Sequence, residues 1–409
     1  MSKRVKLLST AMTAAILTCA ATYADDTTEI LNGQVNLNAN IQVTAETSVG
    51  QAASAMMTAI GMANALTIDV LTPHDIENTQ TFSGSVVGRA TTDAQTIDGA
   101  AITTSTMFGN SAVVLVDNGM DVTSQQNALD GAQVRSTAQH SLSNYGITSV
   151  TTAGASANAW ESTAYAGEAN LDLRQDSGAS VTADAYVLAP TAGLGVSSTT
   201  VAAANGNSAM VTGYDAASQV VDVDQDNRGN VTGLVRVNAG GGGEMTNATA
   251  SANGNNVRIE NQEAYAHLQG QQTNSGEVLA DSEIIVGNFD VDLMTVAAEG
   301  VGNSAVLSNI GSNSFMGLDQ TNTANVTARA NFEGDAGGVA MLSSTAFGNA
   351  ATSYICSECP VTAYGAMNQT NSATISSVVT GQMTTGGMIT GTATAIGNSS
   401  TYQTTNPRY

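Results

Sequence analysis

The sequence predicts an all-β fold, a repetitive β-solenoid of the β-helix kind with eight units of about 48 residues. Three observations predict it. Two sequence markers recur in phase, the runs between them alternate with period two, and aromatic residues are too scarce for the thick core of an ordinary enzyme domain.

The first marker is Gly-Asn-Ser-Ala or a close variant, at Gly61, Gly109, Gly154, Gly206, Gly254, Gly302, Gly348 and Gly397, spaced 45–52 residues apart. The second is a Gln that precedes small and β-branched residues, at Gln34, Gln80, Gln125, Gln175, Gln225, Gln272, Gln320 and Gln369, spaced 45–50 residues apart. Gly and Asn reach positive φ cheaply, so the first marker is expected to form turns. The runs NVTARA (325–330), SVTADA (180–185) and TGTATAI (390–396) read as strands with one nearly flat face and one hydroxyl-bearing face. Each unit then holds about three strands and three turns, as one solenoid coil or two shorter ones. Recurring Gln and Asn are expected to stack into ladders of side-chain amides.

Composition supports a thin, closely stacked interior. Of 409 residues, 42% are hydrophobic but only 4% aromatic and 11% charged, so the apolar content is mainly Ala and Val. After residue 24 there are eight arginines, no lysine and all 34 acidic residues, a net −26. Such a surface repels phosphate backbones and anionic headgroups, which argues against nucleic-acid binding. The lysines lie in a leader: Lys3, Arg4 and Lys6 precede an apolar stretch from Val5 to Leu17, with Thr22-Tyr23-Ala24 as a cleavage site. The expected division is therefore a signal peptide over residues 1–24 and a repeat domain over 25–409, exported to the cell surface. Ile16-Leu17-Thr18-Cys19 offers a lipidated alternative, although Thr18 suits it poorly.

The chemical inventory is sparse. His74, His140 and His267 occupy different places relative to the markers and are read as surface or turn residues. Cys356-Ser357-Glu358-Cys359 could be a redox pair, half a metal site or a small disulfide. Its place in an insertion between Gly348 and Gln369 favours a Cys356–Cys359 disulfide. Asp222, Asp224 and Asp226 have the alternate spacing of calcium ligands, but Asn227 and Gly233 replace the Gly and Glu of a calcium loop, and a solvated acidic face is the favoured reading. No catalytic residue, metal site or cofactor is predicted.

The leader, the Lys-free acidic body and units of the form Gln-x-Asn…Val-x-Ala-x-Ala…Gly-Asn-Ser-Ala resemble bacterial surface adhesion proteins, and among them the holdfast anchor protein D family. The resemblance implies a structural protein at the outer membrane that anchors an adhesive polysaccharide. It further implies companion anchor proteins and a curli-like outer-membrane secretion pore, and the Gln/Asn texture adds self-assembly. The alternative from another class is a polysaccharide-acting enzyme on a parallel β-helix, which would need clustered carboxylates with Arg or Lys and aromatic platforms. Lys is missing and Trp160 is the sole tryptophan.

Overall fold

The computed structural model describes residues 28–71, 74–215, 217–356 and 361–405. The expected leader, with Cys19, lies outside the described residues. Eighteen strands join into one sheet through parallel pairings, and the described residues contain no helix. The chain is thus all-β and solenoid-like.

One unit shows how the coil is built. Ser197–Gly213 leads through a turn to Ser218–Asn227, a second turn leads to Val231–Gly241, and a third opens the next unit. The three strands pair respectively with Met245–Gln262, Ala266–Asn274 and Val278–Ile310, so each unit here is one coil and not two. Thr, Val and Ala alternate along these strands, and the burial pattern alternates with them.

Every coil carries two separate apolar interiors. Ala202, Ala204, Val235 and Val237 belong to one, Ala209, Val211, Val221 and Val223 to the other. Between the two lies a waist of buried amides. Asn207 and Gln225 are both fully buried there. Asn207 Nδ2 donates to Asn255 Oδ1 of the next coil at 2.9 Å and to Asp226 O of the opposite wall at 2.9 Å. Gln225 Nε2 donates to Gln175 Oε1 of the preceding coil at 2.7 Å and to Asn256 O across the waist at 3.0 Å. Each amide therefore ties coil to coil and wall to wall.

The Gln ladder runs Gln34, Gln80, Gln126, Gln175, Gln225, Gln272, Gln320 and Gln369. One expectation fails here: Gln125 faces solvent and its neighbour Gln126 is the buried member. Pairing of Gln80 with Gln126 and of Gln126 with Gln175 fixes that register. The Asn ladder runs Asn64, Asn110, Asn158, Asn207, Asn255, Asn303, Asn349 and Asn398, in contacts of 2.7–2.9 Å.

The glycine markers are not turns. Gly206 lies inside the strand Ser197–Gly213, where Gly206 and Asn207 are buried in succession and the strand bends from one interior to the other. Gly109, Gly206, Gly254, Gly302, Gly348 and Gly397 each precede a member of the Asn ladder and share this corner. Gly61 and Gly154 do not: Gly61 pairs with Met107 and Gly154 with Thr106, and the corner residues of those coils are Ala63 and Ala157.

A close approach explains the choice of residue at the corner. A Cβ on Gly254 would strike Asn274 Oδ1 and lie 2.6 Å from Gly302 O. Asn227, Asn274, Asn322 and Asn371 form a third amide ladder at 2.7–2.8 Å beside the glycine corners. In the Ala157 coil the position registered with Asn227 is Ser177, whose smaller side chain leaves room for a methyl group. Gly254→Ala is expected to cost about 1–3 kcal/mol in chemical denaturation by overpacking. Ala157→Gly combined with Ser177→Asn should extend the third ladder to Asn227 Oδ1, which is buried and without a donor, and gain about 1 kcal/mol.

Candidate functional site

With the apolar and amide side chains turned inward, the chemistry open to solvent is carried by the outer faces of the walls. The wall that contains the Gln ladder has a graded outer face. Five residues before each ladder Gln, the registered column reads Glu29, Asp75, Asp121, Asn170, Val220, His267, Phe315 and Tyr364. Its first three members are acidic and its last three are aromatic rings.

The neighbouring column, three residues before the Gln, adds Glu77, Asp172 and Asp222. Glu29, Asp75, Glu77, Asp121, Asp172 and Asp222 line a shallow open groove of about 580 Å³. Asp222, Asp224 and Asp226 share the outer face of Ser218–Asn227, as period-two alternation requires. Asp226 is engaged by Arg228, which also holds Asp176 at 2.7 Å and Asp130 at 3.3 Å. Its hydrogen bond to Asp176, first, and then that to Asp226 raise the Arg228 pKa above its ordinary value against a cost of desolvation. Among the described residues no group of three or more His, Cys, Asp and Glu side chains is arranged to hold a metal ion.

At the aromatic end, the His267 and Phe315 rings lie with centroids 4.6 Å apart and their planes tilted by 33°. Tyr265 Oη lies 3.1 Å from His267 Nδ1, and His267 Nε2 lies 3.1 Å from Gln269 Oε1. Tyr364, paired with Phe315, continues the column and is 56% exposed. This is a patch of rings with polar edges, a surface on which apolar faces can pack while hydroxyls meet amides. Trp160 is buried and takes no part.

The histidines do not converge. His267 is on the outer platform, while His74 and His140 are buried, contrary to the surface reading. The inward side of an Ala- and Thr-rich strand leaves room for a ring, and His140 Nδ1 lies 3.0 Å from Thr151 Oγ1 and 3.3 Å from Ser149 Oγ. Cys356 ends the strand Val326–Cys356, and Cys359 lies outside the described residues.

The repeated fold and its graded outer wall define a repeat protein with chemistry distributed along one wall. The model of the family described as holdfast attachment protein D matches residues 49–325, more than half of the chain, and the chain belongs to that family. It is a family of attachment proteins and not of enzymes. No curated protein and no solved structure matches the chain.

Burial lowers the His140 pKa from 6.5 to about 4, so the folded state keeps the ring neutral where the unfolded chain would protonate it. The unfolded state then binds more protons between pH 6.5 and about 4, and stability falls as the pH drops through that window. The loss approaches about 3 kcal/mol at the acid end. Denaturation curves of wild type and His140→Ala across this range should converge toward low pH. Parallel curves would show that His140 is not the source.

Proposed function

We propose that the chain is an exported cell-surface protein that anchors an adhesive, holdfast-type polysaccharide to the outer membrane. Its eight units of about 48 residues, one coil each, act as a rigid rod whose outer wall spreads weak contacts over many coils. Membership of the attachment family carries this reading. The graded wall supports it: the His267, Phe315 and Tyr364 rings suit stacking against sugar faces, and the acidic groove suits neutral or basic sugars rather than acidic ones. Companion anchor proteins and a curli-like outer-membrane pore would deliver and hold the rod. A Cys356–Cys359 disulfide would staple one loop without governing the fold.

A deletion strain, scored for surface attachment with polysaccharide stained separately on cells and in the medium, tests the assignment. The expected result is normal polysaccharide production with release into the medium. Complementation with a chain lacking residues 207–302 joins Gly206 to Asn303, keeps the ladder register and removes two coils. It should restore attachment only partly, whereas Asp222→Asn should restore nearly all of it. A single Asp or His substitution that abolished attachment in a protein still displayed at the surface would favour an enzyme or one discrete binding site.

A further inference from the structure

We propose that the chain stacks head to tail on copies of itself, the first coil of one copy seating on the last coil of the next. The solenoid and its ladders would then run on through the junction.

Both ends present open sheet edges among the described residues. Thr28–Ala52 pairs only with His74–Ile97, and Ala55–Val70 only with Ala100–Ala128. At the other end, Ala363–Asn371, Ile375–Thr385 and Met388–Thr405 are each paired on one side alone. Inward side chains there, Val43 and Met57 at the first coil and Val379 and Met383 at the last, are only partly buried. Soluble sheets usually blunt such edges with Lys, Pro or inward charge. Residues 361–405 contain no Lys, Arg, Asp, Glu or Pro, and residues 28–70 contain no Lys, Arg or Pro.

The polarity of the ladders selects the occupant. Every Gln donates Nε2 to the Gln of the preceding coil, so Gln369 ends the ladder with Oε1 free of any donor among the described residues, while Gln34 begins it on the donor side. The Asn ladder runs the opposite way: Asn64 begins it with Oδ1 free of any donor among the described residues, and Asn398 ends it on the donor side. The third ladder, ending at Asn371, points like the second, and its register in the first coil is Asn36. Stacking the first coil on the last lets Gln34 donate to Gln369, Asn398 to Asn64 and Asn371 to Asn36. All three match at once. Two first coils or two last coils placed together would pair their strands antiparallel, against the parallel pairing of every coil in the rod, and with like walls facing would set donor against donor and acceptor against acceptor. A heterologous junction of this kind does not close on itself and propagates as a filament.

The inference is independent of any polysaccharide, so it holds or fails in purified protein whatever becomes of the attachment reading. Gln34→Glu keeps the acceptor that Gln80 uses but removes the outward donor and places a carboxylate against Gln369 Oε1. Asn398→Asp likewise keeps the acceptor for Asn349 and turns a carboxylate toward Asn64 Oδ1. Each blocks one end, and circular dichroism with thermal melting verifies that both variants remain folded.

By analytical ultracentrifugation and electron microscopy, the wild-type mature chain is expected to form filaments that lengthen with concentration. Each variant alone should need a ~100-fold or higher concentration to associate, because a buried carboxylate would be left without a donor. Mixed together, the two variants should form a dimer and nothing longer, since the open last coil of one fits only the open first coil of the other. Wild-type protein that stays monomeric, including through a cap supplied by residues outside the described ones, overturns the proposal. Filaments unchanged in both folded variants, or long filaments from the mixture, overturn it as well.

Discussion

A buried carboxamide is the constraint on which the rest of this structure depends. Taken out of water, each Gln or Asn of the waist carries two donors and an acceptor, and any left unmet costs about 1–3 kcal/mol. The waist meets them only when the next coil presents an identical amide in register while the facing wall presents a carbonyl, as Asn255 does between Asn207, Asn303 and Thr273 O. A slip of one residue would turn every amide outward. The ladders thereby fix the register, the parallel pairing and the separation of two thin interiors filled mainly by Ala and Val. They also dictate the corner, because the third ladder at Asn274 occupies the space a side chain on Gly254 would need.

Much of this was legible in the sequence because the constraint recurs in every coil. Gln175, Gln225, Gln272 and Gln320 announce themselves at steps of 50, 47 and 48 residues, and the alternating Ala and Val between them give the strand texture. The misreadings have local causes. Gln125 and Gln126 are adjacent, and only burial distinguishes the ladder member from its solvent-facing neighbour. Gly61 and Gly154 copy the marker's composition while Ala63 and Ala157 hold its place, as the register of Asn64 and Asn158 shows. Gly-Asn reads as a turn when conformational preference is considered alone, yet here the Gly avoids a steric clash and the Asn is a buried donor. His140 gave no sign of burial, since a strand of small residues hides how much room its inward side keeps.

The graded outer wall was missed for a related reason. Its residues share no composition, and only their offset from the ladder unites Asp75, Asp121, His267, Phe315 and Tyr364. Aligning units on Gln126 in place of Gln125 brings the column into view. The division of labour that emerges is simple: the inward face repeats because its hydrogen bonds demand identity from coil to coil, and the outward face is free to vary, which is where an attachment protein of this family can carry its contacts.

Adjacent glutamines offer the most direct measurement. Gln272 is buried in the ladder, donating to Gln225 Oε1 at 2.7 Å and Ser304 O at 2.9 Å and accepting from Gln320, while Gln271 faces solvent on the same strand. Chemical denaturation of Gln272→Leu should show a loss of about 3 kcal/mol or more, because partners in both neighbouring coils and the facing wall are left unmet, against about 0.5 kcal/mol or less for Gln271→Leu. Equal losses for the two variants, or a Gln272→Leu protein as stable as wild type, would contradict the claim that the amide ladder holds the solenoid in register.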